Sequence, residues 1–162
     1  LDFECLENLS RISRQDYGLA GAVQHGASTL PNDLFNKFPE LETAEIHLAT
    51  DFQNMIYDNE QFPKDFKEEI YAHLRKKFAS DKKEIDTDEQ FIYKTRKKGF
   101  GEFKSKFWNL SEEIRTKIGI HLQKKVEHLF TQLKVENTIE ITKKTTPLVK
   151  IPPILKREIA SA

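Results

Sequence analysis

The chain has 162 residues, enough for one ordinary domain with a real core. Its 26 lysines and arginines equal its 26 aspartates and glutamates, which argues against nucleic acid or an anionic membrane as partner of the whole surface. Cys5 is the single cysteine, which excludes an internal disulfide and a cysteine-based zinc site and fits a reducing, cytoplasmic setting; no apolar run approaches the roughly 20 residues of a membrane span.

The chain opens at Leu1, without methionine, and reads as though already inside a helix, so a C-terminal piece of a longer protein is expected. The first residues do not read as a signal peptide. Residues 1–14 carry Leu6, Leu9 and Ile12 at helical spacing, and Gly18 suits the stop. Residues 20–24 then have the length of one buried strand. A short helix is expected over 31–37, broken at Phe38-Pro39. A second strand is expected over 43–49. With a helix between them, the two strands should run parallel through a right-handed crossover. Thr50-Asp51-Phe52-Gln53 has the form of a capping box, opening a helix to about residue 57.

The remainder reads as helical. Pro63 opens a helix to about residue 79, with Phe66, Ile70, Leu74 and Phe78 in one stripe. Glu68 and Glu69 fall early in it and Arg75, Lys76 and Lys77 late, as the helix dipole favours. Thr87-Asp88-Glu89-Gln90 is a second capping box, opening a helix to about residue 98 that Gly99-Phe100-Gly101 interrupts. Ser111 caps a helix to about residue 133, with Ile114, Ile118, Leu122, Val126, Leu129 and Leu133 inward. Residues 137–162 read as an extended tail. Thr and Ile there allow a short strand, and Pro147, Pro152 and Pro153 suit a chain that wraps a surface.

The chemistry concentrates at Ala20-Gly21-Ala22-Val23-Gln24-His25-Gly26-Ala27-Ser28-Thr29. A strand ends in an imidazole, a turn of small residues lets backbone N–H groups approach a ligand, and Pro31 marks a helix start. That order suits an anion held beside a metal ligand or proton carrier. The plain alternative is a turn with a surface histidine. Residues 43–54 repeat the logic with His47 and Thr50, and parallel strands place His25 and His47 at the same end of a sheet.

These two stretches, 18–29 and 43–54, resemble the C-terminal part of class II fructose-bisphosphate and ketose-bisphosphate aldolases. Gln90-Phe91-Ile92-Tyr93-Lys94-Thr95-Arg96-Lys97-Lys98 is looser support. The resemblance implies an α/β fold: the last two parallel βα units of a (β/α)8 TIM barrel over residues 1–60, a helical extension over 61–135 and a tail over 136–162. It implies a lyase of carbohydrate metabolism that cleaves a ketose bisphosphate to dihydroxyacetone phosphate and an aldehyde. Zn2+ is the implied metal, with a monovalent cation beside the phosphate. By the resemblance, His25 is one of three zinc histidines. Gly26, Ala27, Ser28 and Thr50 hold the substrate phosphate. His47 is the catalytic group, standing where the family has an asparagine that steadies the enediolate. Three departures stand out: Ala27 replaces a glycine, a mild change, while His47 in place of the asparagine and Ala49 in place of an aspartate are substantial and suggest a divergent branch.

The family's other two zinc histidines and its acid have no counterpart here, and His73, His121 and His128 show no ligand spacing. The expectation is therefore weak zinc binding and no aldolase activity from this chain alone. Lys94, Arg96, Lys97, Lys98, Lys104 and Lys106 run among Phe100, Phe103, Phe107 and Trp108. A solvated helix face is the plain reading. Arg96 is the candidate for a second phosphate contact, its guanidinium fork matching phosphate geometry. The alternatives are a non-catalytic aldolase-like subunit that supports a catalytic partner, and a basic-aromatic binding module. The expected partner set is a sugar phosphate and a second copy through the helical extension, with neither membrane nor nucleic acid.

Overall fold

The computed structural model describes residues 1–146, 148 and 149. Helix α1 (Phe3–Gln15) starts on Asp2, whose carboxylate accepts from the Cys5 N–H at 3.0 Å. Strand β1 (Val23–Gln24) follows. Two 3-10 turns, Ala27–Thr29 and Asn32–Leu34, and helix α2 (Lys37–Glu40) lead to strand β2 (Glu45–Ile46). Then come α3 (Thr50–Tyr57), α4 (Lys64–Lys77), α5 (Asp88–Thr95), α6 (Gly99–Glu102), α7 (Lys104–Trp108), α8 (Glu112–Gln132) and α9 (Ile139–Thr145).

The two strands pair in parallel, with Val23 opposite Glu45 and Gln24 opposite Ile46. Backbone bonds from Ala44 N to Ala22 O and from His47 N to Gln24 O, each 2.9 Å, bracket the pair. That is the whole sheet among the described residues. The expectation of an α/β barrel portion built from two βα units is therefore corrected: the domain is mostly helical, with a minimal two-stranded ribbon. The physical reason is a lack of neighbours. A parallel pair is normally flanked and covered on both faces. Here each strand has one partner only, so the extended backbone expected over 20–24 and 43–49 makes ladder for two residues and stops.

Two apolar clusters hold the helices. The first gathers Leu6, Ala27, Phe35, Phe38 and Leu129, with Ala22, Ile46, Leu48 and Phe52 packed on it. The second gathers Tyr57, Phe62, Phe66, Ile70, Leu74, Phe91, Ile92 and Ile118. Helix α8, about 30 Å long at 1.5 Å per residue, spans both, placing Ile118 in one and Leu129 in the other. Helix α3 does the same with Phe52 and Tyr57.

Several local expectations hold. The stripe on α4 is inward, with Phe66, Ile70 and Leu74 buried. The Thr87 box has both arms: Gln90 N donates to Thr87 Oγ1 at 3.2 Å, and Thr87 N donates to Gln90 Oε1 at 3.0 Å. Ser111 accepts from Ile114 N at 3.4 Å.

Others are corrected. Within residues 31–37 there is only the 3-10 turn Asn32–Leu34 and the first residue of α2, rather than a helix, and Pro39 lies inside α2 instead of ending a helix. It occupies an early position, where a missing N–H costs nothing. Gly99 opens α6 rather than interrupting a helix. A Cβ there would come within 2.6 Å of the Tyr57 hydroxyl, so the missing side chain is a packing requirement. Residues 139–145 are helical, not extended. Pro147, Pro152 and Pro153, on which the wrapping tail rested, lie outside the described residues.

Candidate functional site

The register places His25 and His47 on the rung after Gln24 and Ile46. Alternation along a strand puts Val23, His25, Glu45 and His47 on one face. All four are exposed, while Ile46 and Leu48 pack into the first cluster. The two imidazole rings stand with centroids 4.3 Å apart and planes tilted by 33°. His47 Nε2 lies 2.6 Å from Glu45 Oε1. Two residues along one strand, the carboxylate is placed to hold one edge of the ring. Sequence reasoning missed Glu45, although a Glu-x-His spacing in a strand was the available signal.

The loop after β1 comes next. Gly26 sits at φ 73°, the left-handed region, and turns the chain sharply at the strand tip. Ala27 is buried in the first cluster, which fixes the turn from below. Ser28 Oγ accepts from Ala49 N at 3.1 Å, tying the loop after β1 to the start of α3. The capping box expected at Thr50 does not form, because the helix starts one residue earlier than expected: Gln53 N donates to the Ala49 carbonyl at 3.2 Å. Ala49 is the residue before α3, and Thr50 is already its first residue. The Ala49 N–H is capped by a hydroxyl from 21 residues upstream. Gly26, Ala27, Ser28, His25, His47 and Thr50 therefore gather at one end of the ribbon.

Lysine 125 reinforces this end from α8. Lys125 Nζ is 2.7 Å from Asp51 in the first turn of α3 and also meets the Asn32 side-chain oxygen. His128 Nε2 lies 3.3 Å from the Asn32 carbonyl. The link spans more than 70 residues, and nothing local in the sequence announces it.

Arg96 is placed elsewhere. It is buried between α3 and α5, and its guanidinium fork is filled. Nη1 and Nη2 meet the two Asp58 oxygens at 2.8 and 3.0 Å, and Nε donates to Asn54 Oδ1 at 3.1 Å. Burial is the largest influence and disfavours its charge, but the Asp58 carboxylate and the Tyr71 oxygen together outweigh it and hold the group above its ordinary range. Tyr57 lies beneath, donating to the Arg96 carbonyl at 2.9 Å, and burial pushes its hydroxyl well up. These contacts give Arg96 a structural task, joining the end of α3 to the end of α5.

Three lysines of the surrounding basic run are paired as well, and Lys104 lies over the Trp108 ring. Lys94 meets Asp86 at 2.5 Å, while Lys98 pairs with Asp81 and Lys106 with Glu69. A groove of about 940 Å3 runs past Asn54, Tyr71, Ile92 and Tyr93, but Arg75, Lys94 and Arg96 along it each face a carboxylate of the chain.

Among the described residues no group of three or more His, Cys, Asp or Glu is arranged to hold an ion. His121 lies 3.3 Å from Asn59 and His73 lies 3.8 Å from Glu102, each away from the ribbon. No described helix is long and apolar enough to cross a membrane. No protein-family model, curated protein or solved structure matches the chain.

Proposed function

We propose that the chain is a segment of a zinc-dependent class II aldolase that cleaves a ketose bisphosphate to dihydroxyacetone phosphate and an aldehyde. The observation that carries the reading is the juxtaposition at the ribbon's end. His25 and His47 have ring centroids 4.3 Å apart, and the Gly26–Ser28 loop and the start of α3 are tied to each other beside them. The motif resemblance at 18–29 and 43–54 supplies the reaction. The donor chemistry fits the metal, since zinc takes neutral imidazole nitrogens.

In this reading His25 binds the metal and His47 faces the reacting carbons. Backbone N–H groups of Gly26, Ala27 and Ser28, with the Ser28 and Thr50 hydroxyls, hold the phosphate and so fix the substrate's position. When bound, zinc polarises the substrate carbonyl. A catalytic zinc site takes three protein ligands, more than this face supplies, so the chain by itself is without aldolase activity. The single cysteine fits a cytoplasmic setting. Ile120 and Phe130, each 50% exposed on α8, are where a second copy would pack.

Titration of the 15N-labelled chain with dihydroxyacetone phosphate tests the reading. The amides of Gly26, Ala27, Ser28 and Thr50 are expected to shift saturably. Silence there, or shifts confined to residues 94–108, would overturn it.

A further inference from the structure

We infer that His47 is itself a metal ligand, binding through Nδ1 beside His25 while Glu45 orients its ring. This rests on the aldolase reading for the identity of the ion but goes beyond it, because the resemblance gives position 47 an asparagine that touches only substrate.

Three observations carry the inference. The first is register. His25 and His47 are cross-strand neighbours on the exposed face of the ribbon, with centroids 4.3 Å apart. A zinc ion about 2.1 Å from a ring nitrogen lies roughly 3 Å from that ring's centre, so two rings can share an ion at separations up to about 6 Å. Both side chains are exposed, so the His25 ring can turn toward an ion on the His47 ring without moving the strands.

The second is the Glu45 contact. A carboxylate 2.6 Å from Nε2 holds the ring proton on that nitrogen. The lone pair is then on Nδ1, the atom left to face an ion. Ligating histidines almost always give their other ring N–H to a carboxylate, a carbonyl or water, which fixes tautomer and orientation. Glu45 is a positioning residue in that sense.

The third is the contrast with the other histidines. His128 is turned to a backbone carbonyl, and His121 to an amide. His73 packs edge-on against Phe103, with centroids 5.2 Å apart. Among the described residues only the ribbon sets two imidazoles side by side. Two ring ligands make a partial site, completed by solvent or substrate oxygens and by donors from elsewhere, and its affinity in this chain is correspondingly modest.

The test is a zinc titration of the full chain, read by the 15N ring resonances of the histidines, with cobalt absorption as a second signal. One ion is expected to bind, moving the ring signals of His25 and His47 together and leaving His73, His121 and His128 in place. His47→Ala and His47→Asn should each weaken binding at least tenfold. Glu45→Gln should weaken it about tenfold while the His47 ring signal still responds. Unchanged backbone amide spectra will show that each variant is folded. If zinc moves His25 alone and His47→Asn binds as the parent does, the inference fails and the aldolase reading stands. If zinc up to millimolar concentration moves neither ring, the inference fails, and the dihydroxyacetone phosphate titration alone then decides the aldolase reading.

Discussion

Around Tyr57, the rings of Phe62, Phe100 and Phe107 lie with centroids 5.0 to 6.0 Å away, and Phe100 stacks on Phe107 at 4.8 Å. The Tyr57 hydroxyl has its acceptor, Arg96 has its carboxylate, and Lys98 and Lys106 outside are matched to acids. At the ribbon the balance is different. The strands and the position just past them carry Val23, Glu45, His25 and His47 on one face, all four exposed among the described residues. The aromatic half ties up Arg96, Lys94, Lys98 and Lys106 within the fold and so has less left to offer a ligand. The ribbon leaves ligating atoms unspent, which is why the functional reading belongs there.

The largest expected effect that would sharpen this contrast is in the core. Tyr57→Ala removes a fully buried ring and orphans the Arg96 carbonyl, and should cost about 4 kcal/mol in urea unfolding. Val23→Ser on the open face should change stability by less than about 0.5 kcal/mol. Comparable losses at both sites would break the comparison.

An intermediate effect is expected where the ribbon meets the helices. Ser28→Ala deletes the acceptor of the Ala49 N–H and should cost about 1 kcal/mol. Faster amide exchange at Ala49 and Thr50 would localise the loss.

The smallest effect is acid-linked. The Lys94 ammonium holds Asp86, and the Arg75 guanidinium holds Asp88, below the usual carboxylate range. A lowered folded-state pKa means the stabilisation is present above the unfolded value and is lost as pH falls through the folded one. The urea midpoint should therefore be flat from pH 7 to about 5 and decline below about pH 4. The decline should be shallower in Asp88→Asn, which has already lost the contact.

Much of the helical half was legible because its signals are local. The spacing of Phe66, Ile70 and Leu74, the reciprocal bonds of Thr87 and Gln90, and the Ser111 cap all lie within a few turns of one helix. The proximity of His25 and His47 was also legible, since parallel strands bring their tips together. The extent of the strands was not, because a ladder grows only with neighbours. The Thr50 box failed because the helix is capped at Ala49, whose carbonyl accepts from Gln53 N and leaves Thr50 inside the first turn. Arg96 reads as a free cation in sequence, and only the packing of α3 against α5 brings Asp58 and Asn54 to it.

Helix α8 has a thermodynamic consequence. It rests Ile118 on the aromatic cluster and Leu129 on the cluster beneath the ribbon, and Lys125 pins its later turns to Asp51. Neither half can melt without freeing part of the same rod, so heat should take the molecule apart in one step. Anything that grips the histidine face would then slow hydrogen exchange as far away as Ile118.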